Sequence, residues 1–224
     1  METFQTLKFY NYSRNQTLIK QLEDLIDESY KVAGSHIKKD IEICNEIYCT
    51  YNSEQELVAF FMVGYQKIHE LDCCYLGLSL CREDLKNKGL VKKLYLGFAK
   101  DCLVKEVEVG HRILCYWTTA TPIVYYWFAK NFIDVSPNMN GECDKVGLET
   151  LNILALNQYP NAEFNPLTPF VLRHAAKQIN YTDDESVRIV DAKNDLKLFV
   201  FDQYALDETK GDRFLMCGYA PNVE

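Results

Sequence analysis

The segment from Cys73 to Leu103, CCYLGLSLCREDLKNKGLVKKLYLGFAKDCL, constrains the fold more than any other. Its apolar run from Tyr75 to Cys81 has the length of a strand, a polar turn with a single glycine follows, and a helical pattern comes next. On that helix Leu90, Leu94, Phe98 and Cys102 recur every fourth residue with Val91 and Tyr95 beside them, whereas Lys92, Lys93 and Lys100 fall on other faces. One side of the helix is therefore built for burial against a sheet.

Between Lys86 and Lys100 there are five lysines and no acid, so this window carries +5 in a chain of formal net charge −8, and the remainder sums to −13. A positive loop that opens a helix, where free backbone amides point outward and the helix dipole is positive, suits a phosphate group. The same charges also fit a solvated basic face, since exposed lysines are common on helices.

With 224 residues, 48% of them apolar, the chain can fill a substantial core. No apolar run reaches the length of a membrane span, and METFQTLKFY lacks the order of a signal peptide, so a cytoplasmic protein is expected. Nine cysteines without regular spacing read as reduced and buried, and adjacent Cys73 and Cys74 point to opposite faces of a strand, so no metal site is expected. The sequons at Asn11, Asn15 and Asn180 carry no meaning without a secretory route. The acidic balance argues against a general nucleic-acid binder and tolerates a cationic amine.

In chain order, residues 3–10 read as a first strand, and Ser13 with Gln16 forms a capping box for a helix with the stripe Leu18, Leu22, Leu25 and Ile26, stopping at Gly34. The segment containing His36 is undecided. Glu46 to Asn52 and Leu57 to Tyr65 form a hairpin across Asn52–Gln55, and residues 67–72 turn into the strand of the organising segment. Arg112 to Thr118 is a further strand, and Pro122 opens an aromatic helix. Val146 to Asn180 reads as largely helical around NPLTP, and the last strands are Leu196–Phe201 and Phe214–Tyr219. The expected fold is α/β of the α+β kind: a mixed, mostly antiparallel sheet with helices on both faces and a helical insertion in the C-terminal half. One domain spans 1–224, with an insertion or subdomain at about 137–192.

Two segments carry a family resemblance. Lys86-Asn87-Lys88-Gly89-Leu90-Val91 resembles the coenzyme A loop of the GNAT superfamily of N-acetyltransferases, Arg/Gln-x-x-Gly-x-Gly/Ala, with Lys86 at the first place, Gly89 matching and Val91 at the final small residue. Ile123-Val124-Tyr125-Tyr126-Trp127-Phe128-Ala129-Lys130-Asn131-Phe132 resembles the family's second signature, Tyr-x-x-x-Gly-Phe, with Trp127 at the tyrosine place, Tyr126 one residue early and Asn131 at the glycine place. The resemblance covers roughly residues 3–132 and 196–219.

It implies transfer of an acetyl or related acyl group from acetyl-CoA or another acyl-CoA to an amine acceptor, a small molecule or a protein. The pantetheine arm would lie along Leu78, Ser79, Leu80 and Cys81, with the Leu80 amide polarising the thioester carbonyl. The pyrophosphate would take Lys86, Lys88, Gly89, Leu90, Val91, Lys92 and Lys93, and Thr119 would lie at the same ligand. Tyr126 is the candidate acid that reprotonates the thiolate, and Glu54 or Glu56 the candidate base. Solvated turn carboxylates and a packed aromatic face are the plainer readings of the same residues. The alternative function is a non-catalytic GNAT-like module that binds a CoA ester or a protein partner; Val91, Asn131 and the lack of an obvious base favour it.

Overall fold

The computed structural model describes residues 3–28, 30, 36–176 and 181–222. It forms a mixed α/β architecture of two compact units, one comprising Met1–Gln66, Cys74–Ile113 and Asn222–Glu224, the other Lys67–Cys73 and Leu114–Pro221. Among the described residues no helix is long and apolar enough to cross a membrane. All nine cysteines are free, and all but Cys143 are buried.

In the first unit β1 (Gln5–Tyr10), β2 (Glu46–Tyr51), β3 (Leu57–Ile68) and β4 (Leu71–Cys81) lie side by side in chain order. β1 and β3 both run antiparallel to β2. β2 and most of β3 are buried on both faces, which is why β3 reads as a continuous apolar run and not an alternation. Helix α3 (Leu90–Val109) lays the predicted stripe of Leu90, Leu94, Phe98 and Cys102 on this sheet, where the Phe61 ring meets Tyr95 and Phe98 edge to face at 4.7 and 5.6 Å.

Helix α1 (Gln16–Asp27) buries Leu18, Leu22, Leu25 and Ile26 as its periodicity predicts, but its cap differs. Ser13 lies inside a 3-10 turn, Tyr12–Arg14, and Asn15 accepts the Leu18 amide at 3.1 Å instead. Gly34 and Asn180 lie outside the described residues. The undecided segment becomes α2 (His36–Ile43). Its C-terminal end comes unusually close to the sheet because two glycines lie beneath it. A Cβ on Gly64 would stand 2.5 Å from the Ile43 carbonyl oxygen, and one on Gly77 2.7 Å from Cys44 Sγ. The obstacle at Gly64 is backbone, so Gly64→Ala is expected to cost about 1–3 kcal/mol in urea unfolding; a loss below ~0.5 kcal/mol would show that α2 shifts freely.

In the second unit β5 (Leu114–Thr119) and β9 (Arg213–Tyr219) pair antiparallel, followed by β8 (Thr168–Arg173) and β7 (Glu163–Asn165), while the short β6 (Ile133–Ser136) also pairs with β9. Pro122 opens α4 (Pro122–Asn131) as predicted, and α5 (Lys145–Gln158), α6 (Asp183–Leu196) and α7 (Phe199–Tyr204) supply the helices of the later segment.

Two readings are corrected here. The NPLTP stretch is the tip of the β7–β8 hairpin, shaped by Asn165, whose side chain accepts the Leu167 amide at 2.9 Å. Leu196–Phe201 is not a strand. It runs from the end of α6 through Lys197, whose φ of 48° breaks the helix, into α7, so that β8 takes its place beside β9. A short apolar run is equally compatible with either element until its partners are known. Here the partner is an aromatic cluster: Phe214 meets Phe201 at 4.9 Å and Tyr125 at 5.3 Å.

Candidate functional site

Beyond β4 the chain makes a 3-10 turn, Glu83–Leu85, and then two left-handed residues, Asn87 at φ 69° and Gly89 at φ 76°, before α3 begins. The first intrahelical bond runs from the Lys93 amide to the Gly89 carbonyl at 3.1 Å. The amides of Leu90, Val91 and Lys92 therefore precede the ladder, and no side chain caps them. A Cβ on Gly89 would meet nothing within 4 Å, so the backbone here is open to a close approach. Free amides at a helix opening suit an anion.

The lysines are not equivalent. Lys86 pairs with Glu83 at 2.7 Å, whereas Lys88, Lys92 and Lys93 are exposed around the helix opening. Val91 is half-buried and Leu90 buried, so neither side chain is open to solvent as the neighbouring lysines are.

On β4, Leu78 and Ser79 are half-buried, while Leu80 and Cys81 are buried. The Ser79 hydroxyl lies 2.6 Å from that of Tyr95, which α3 presents from the core. Burial pushes the Cys81 thiol up to about 11, which makes it a poor nucleophile at neutral pH. Tyr75 donates to Asp40 of α2 at 3.1 Å.

The two turn carboxylates differ. Glu54 is exposed at the hairpin tip, and its amide is held by Asn52 at 3.0 Å. Glu56 accepts from Asn52 at 2.8 Å and from Arg82 at 3.1 Å. Arg82 also grips Asp84 with two bonds, of 2.7 and 3.1 Å, and holds that carboxyl below its ordinary value. A cleft of about 290 Å³ opens here, lined by Asp24, Glu28, Glu56, Arg82 and their neighbours.

Thr119 and Tyr126 belong to the second unit, so the roles given them by the resemblance rest on sequence. The Thr119 hydroxyl is spent locally, accepting the Thr121 amide at 2.9 Å at the start of α4. Tyr126 is half-buried and accepts from Lys130 at 2.9 Å, whereas Tyr125 turns inward and donates to the Asn138 carbonyl at 2.7 Å. No group of three or more His, Cys, Asp or Glu side chains among the described residues is arranged to hold a metal ion.

Sequence reasoning missed Asp40. Its segment, IKKDIEI, resembles any short charged helix, and the partner that distinguishes it, Tyr75, lies 35 residues away.

No protein-family model matches the chain, and no curated protein matches it. Among solved structures it is similar to a probable N-acyltransferase from Enterococcus faecalis, at 12% identity and a TM-score of 0.44 over 60% of this chain. The match takes in 34% of that protein, so this chain spans about a third of its length. It is similar also to a GNAT-family N-acetyltransferase from Escherichia coli in complex with CoA, at 11% identity and a TM-score of 0.42, covering 56% of this chain and 68% of that one. A third is the ribosomal-protein-S18-alanine N-acetyltransferase of the same organism, at 10% identity and a TM-score of 0.45, covering 100% and 97%. The solved structures it is similar to thus include N-acetyltransferases of the superfamily whose loop Lys86–Val91 resembles. With each of these TM-scores below 0.5, nothing about the chemistry of this chain rests on the likeness.

Proposed function

We propose that this protein is an acyltransferase that moves an acetyl or related acyl group from an acyl-CoA to an amine. The observation that carries the reading is the opening of α3. Three uncapped amides, a left-handed Gly89 with open space beside it and the exposed Lys88, Lys92 and Lys93 gather donors and positive charge that suit a phosphate, one short loop beyond the end of β4. The pyrophosphate would sit on the amides of Leu90, Val91 and Lys92, and the pantetheine arm would run back along Leu80 and Ser79. The Leu80 amide would then polarise the thioester carbonyl and stabilise the charge that grows on its oxygen during attack.

Thermal unfolding with and without acetyl-CoA tests the binding half. Saturation at one hundred times the dissociation constant adds about 2.7 kcal/mol, a rise of roughly 5–10 °C for a chain of this size. Gly89→Trp places a large side chain where there is now open space and is expected to abolish that rise. A rise that survives in the variant removes the loop from the reading.

A second reading, binding of a CoA ester without turnover, is favoured by Glu56, whose carboxylate is engaged by Arg82 and Asn52 and so is a poor base. Consumption of acetyl-CoA in the presence of an amine separates the two, because only the first predicts it.

A further inference from the structure

The loop that opens α3 is reached from β4 through Arg82, whose backbone and side chain are both committed. Its amide donates to the Val58 carbonyl of β3 at 2.8 Å, so the residue stands fixed on the sheet. Its guanidinium makes three bonds to two acids: Nε and Nη2 donate to the two oxygens of Asp84 at 2.7 and 3.1 Å, and Nη1 donates to Glu56 at 3.1 Å. Glu56 is held in turn by the Asn52 side chain at 2.8 Å, at the turn of the β2–β3 hairpin. A planar fork of this kind orients a carboxylate as well as neutralising it, which an ammonium does not do.

Asp84 lies in the 3-10 turn Glu83–Leu85, and that turn leads into the anion loop. The Leu85 amide donates to the Arg82 carbonyl at 3.0 Å, the Lys86 amide to that of Glu83 at 3.2 Å, and the Lys88 amide to that of Leu85 at 3.2 Å. Leu85 is 2% exposed, and Lys86 is tied back to Glu83 at 2.7 Å. Successive turns thus carry the position of Asp84 forward to Lys88, the residue before Gly89. Buried Leu90 seats the first turn of α3 from one side, and the segment from Arg82 to Lys88 sets the other rim.

We propose that Arg82 is a positioning residue for the acyl-CoA: by clamping Asp84 to the Glu56 turn, it holds Lys88 and Gly89 in the arrangement that receives the phosphates. The inference rests on the acyl-CoA reading above. In this role Arg82 acts through its two acids and not as a cation presented to the ligand.

Charge and position predict opposite signs at Asp84. It is an acid a few residues before a site for anions, so by charge alone its neutralisation tightens acetyl-CoA. As one half of the clamp, its neutralisation breaks the fork, lets the rim leave the receptive arrangement and weakens apparent affinity by the fraction of molecules that do so.

The test measures acetyl-CoA dissociation constants by titration calorimetry for the wild type, Asp84→Asn, Arg82→Lys, Arg82→Gln and the double variant Arg82→Gln/Asp84→Asn. Asp84→Asn is expected to bind about fivefold more weakly, and Arg82→Lys, which keeps the charge but loses the fork, is expected to weaken to a similar degree. The double variant is expected to be no weaker than Arg82→Gln, because either change alone already breaks the fork. The side chains of Arg82 and Asp84 are 25% and 63% exposed, so the unliganded variants should melt within about 4 °C of the wild type. Hydrogen exchange separates positioning from a general loss of stability: the amides of Lys86 and Lys88 should exchange faster in the variants, out of proportion to any change within α3.

Binding by Asp84→Asn as tight as the wild type or tighter would overturn the inference and leave acyl-CoA binding intact, as would full affinity in Arg82→Lys. A wild type that binds no acetyl-CoA removes the reading beneath the inference, and the inference falls with it.

Discussion

Glu46→Ala will lower the free energy of unfolding by about 3 kcal/mol, near the lower end of what removing one member of a buried ion pair costs. Glu46 is 3% exposed at the start of β2 and lies between two ammonium groups, Lys8 Nζ of β1 and Lys105 Nζ of α3, each at 2.8 Å. Lys8 also pairs with Asp101 of α3 at 2.6 Å, and Tyr48 donates to the same carboxylate at 2.7 Å. Burial alone would lower the Lys8 ammonium's pKa, but Asp101 and Glu46 more than reverse it, and the group is held above its ordinary value. Removing Glu46 takes the shared acid from two ammonium groups and leaves Asp101 on Lys8 alone, which is why the cost exceeds that of a surface pair. Asp101 still compensates Lys8, and this keeps the loss at the lower end. A fall in Tm of roughly 6–12 °C corresponds to that figure for a chain of this length. Lys105→Met is the contrast: its side chain is one third exposed, and the expected loss is under about 1 kcal/mol. Urea unfolding of both variants decides the matter, and equal effects would show that charge burial is not the cause.

The parts of the fold legible in the sequence are those whose signal is local and periodic. The four-residue spacing of Leu90, Leu94, Phe98 and Cys102 foretold the buried face of α3, and the Asn52–Gln55 turn between two apolar runs foretold the β2–β3 hairpin. Pro122 at the first position of α4 is a signal of the same kind. Where a signal depends on distant partners the reading failed. Val200 and Phe201 look like strand residues, but Tyr125 and Phe214 offer them an aromatic cluster, and a six-residue helix reaches it. The strand that does flank β9 was concealed by the two prolines of NPLTP, which suggested a break and not the tip of a hairpin.

The candidate site divides along the same line. Gly89 and the following helix were legible because a left-handed cap and a helix opening are properties of six consecutive residues. The contact of Asp40 with Tyr75 was not, because it depends on α2 reaching the sheet, which α2 can approach so closely only because Gly64 and Gly77 lack side chains.

In the second unit Asp212→Asn is expected to cost about 2–4 kcal/mol at neutral pH, and the cost should shrink on acidification. Asp212 is 2% exposed and accepts from Arg173 Nη1 at 2.5 Å and from the amides of Asp207 and His174 at 3.0 and 3.2 Å. Arg173 in turn donates to the carbonyls of Tyr204 and Ala205 at 2.6 and 3.2 Å, so one pair of side chains fastens the end of β8 to the end of α7 and the start of β9. Burial would raise the Asp212 carboxyl, but Arg173 and the two amides outweigh it and hold the group below its ordinary 3.8. A folded pKa below the unfolded one contributes stability that is fully present above about pH 5 and is lost as pH falls through the folded value. The asparagine keeps the shape but leaves the guanidinium without its counter-charge, and this is a penalty that acid imposes on the wild type as well. The two proteins should therefore differ most at pH 7 and converge as pH falls below the ordinary carboxylate range in urea unfolding. A difference that stays constant over that range would mean that Asp212 acts through packing and hydrogen-bond geometry and that its charge contributes nothing.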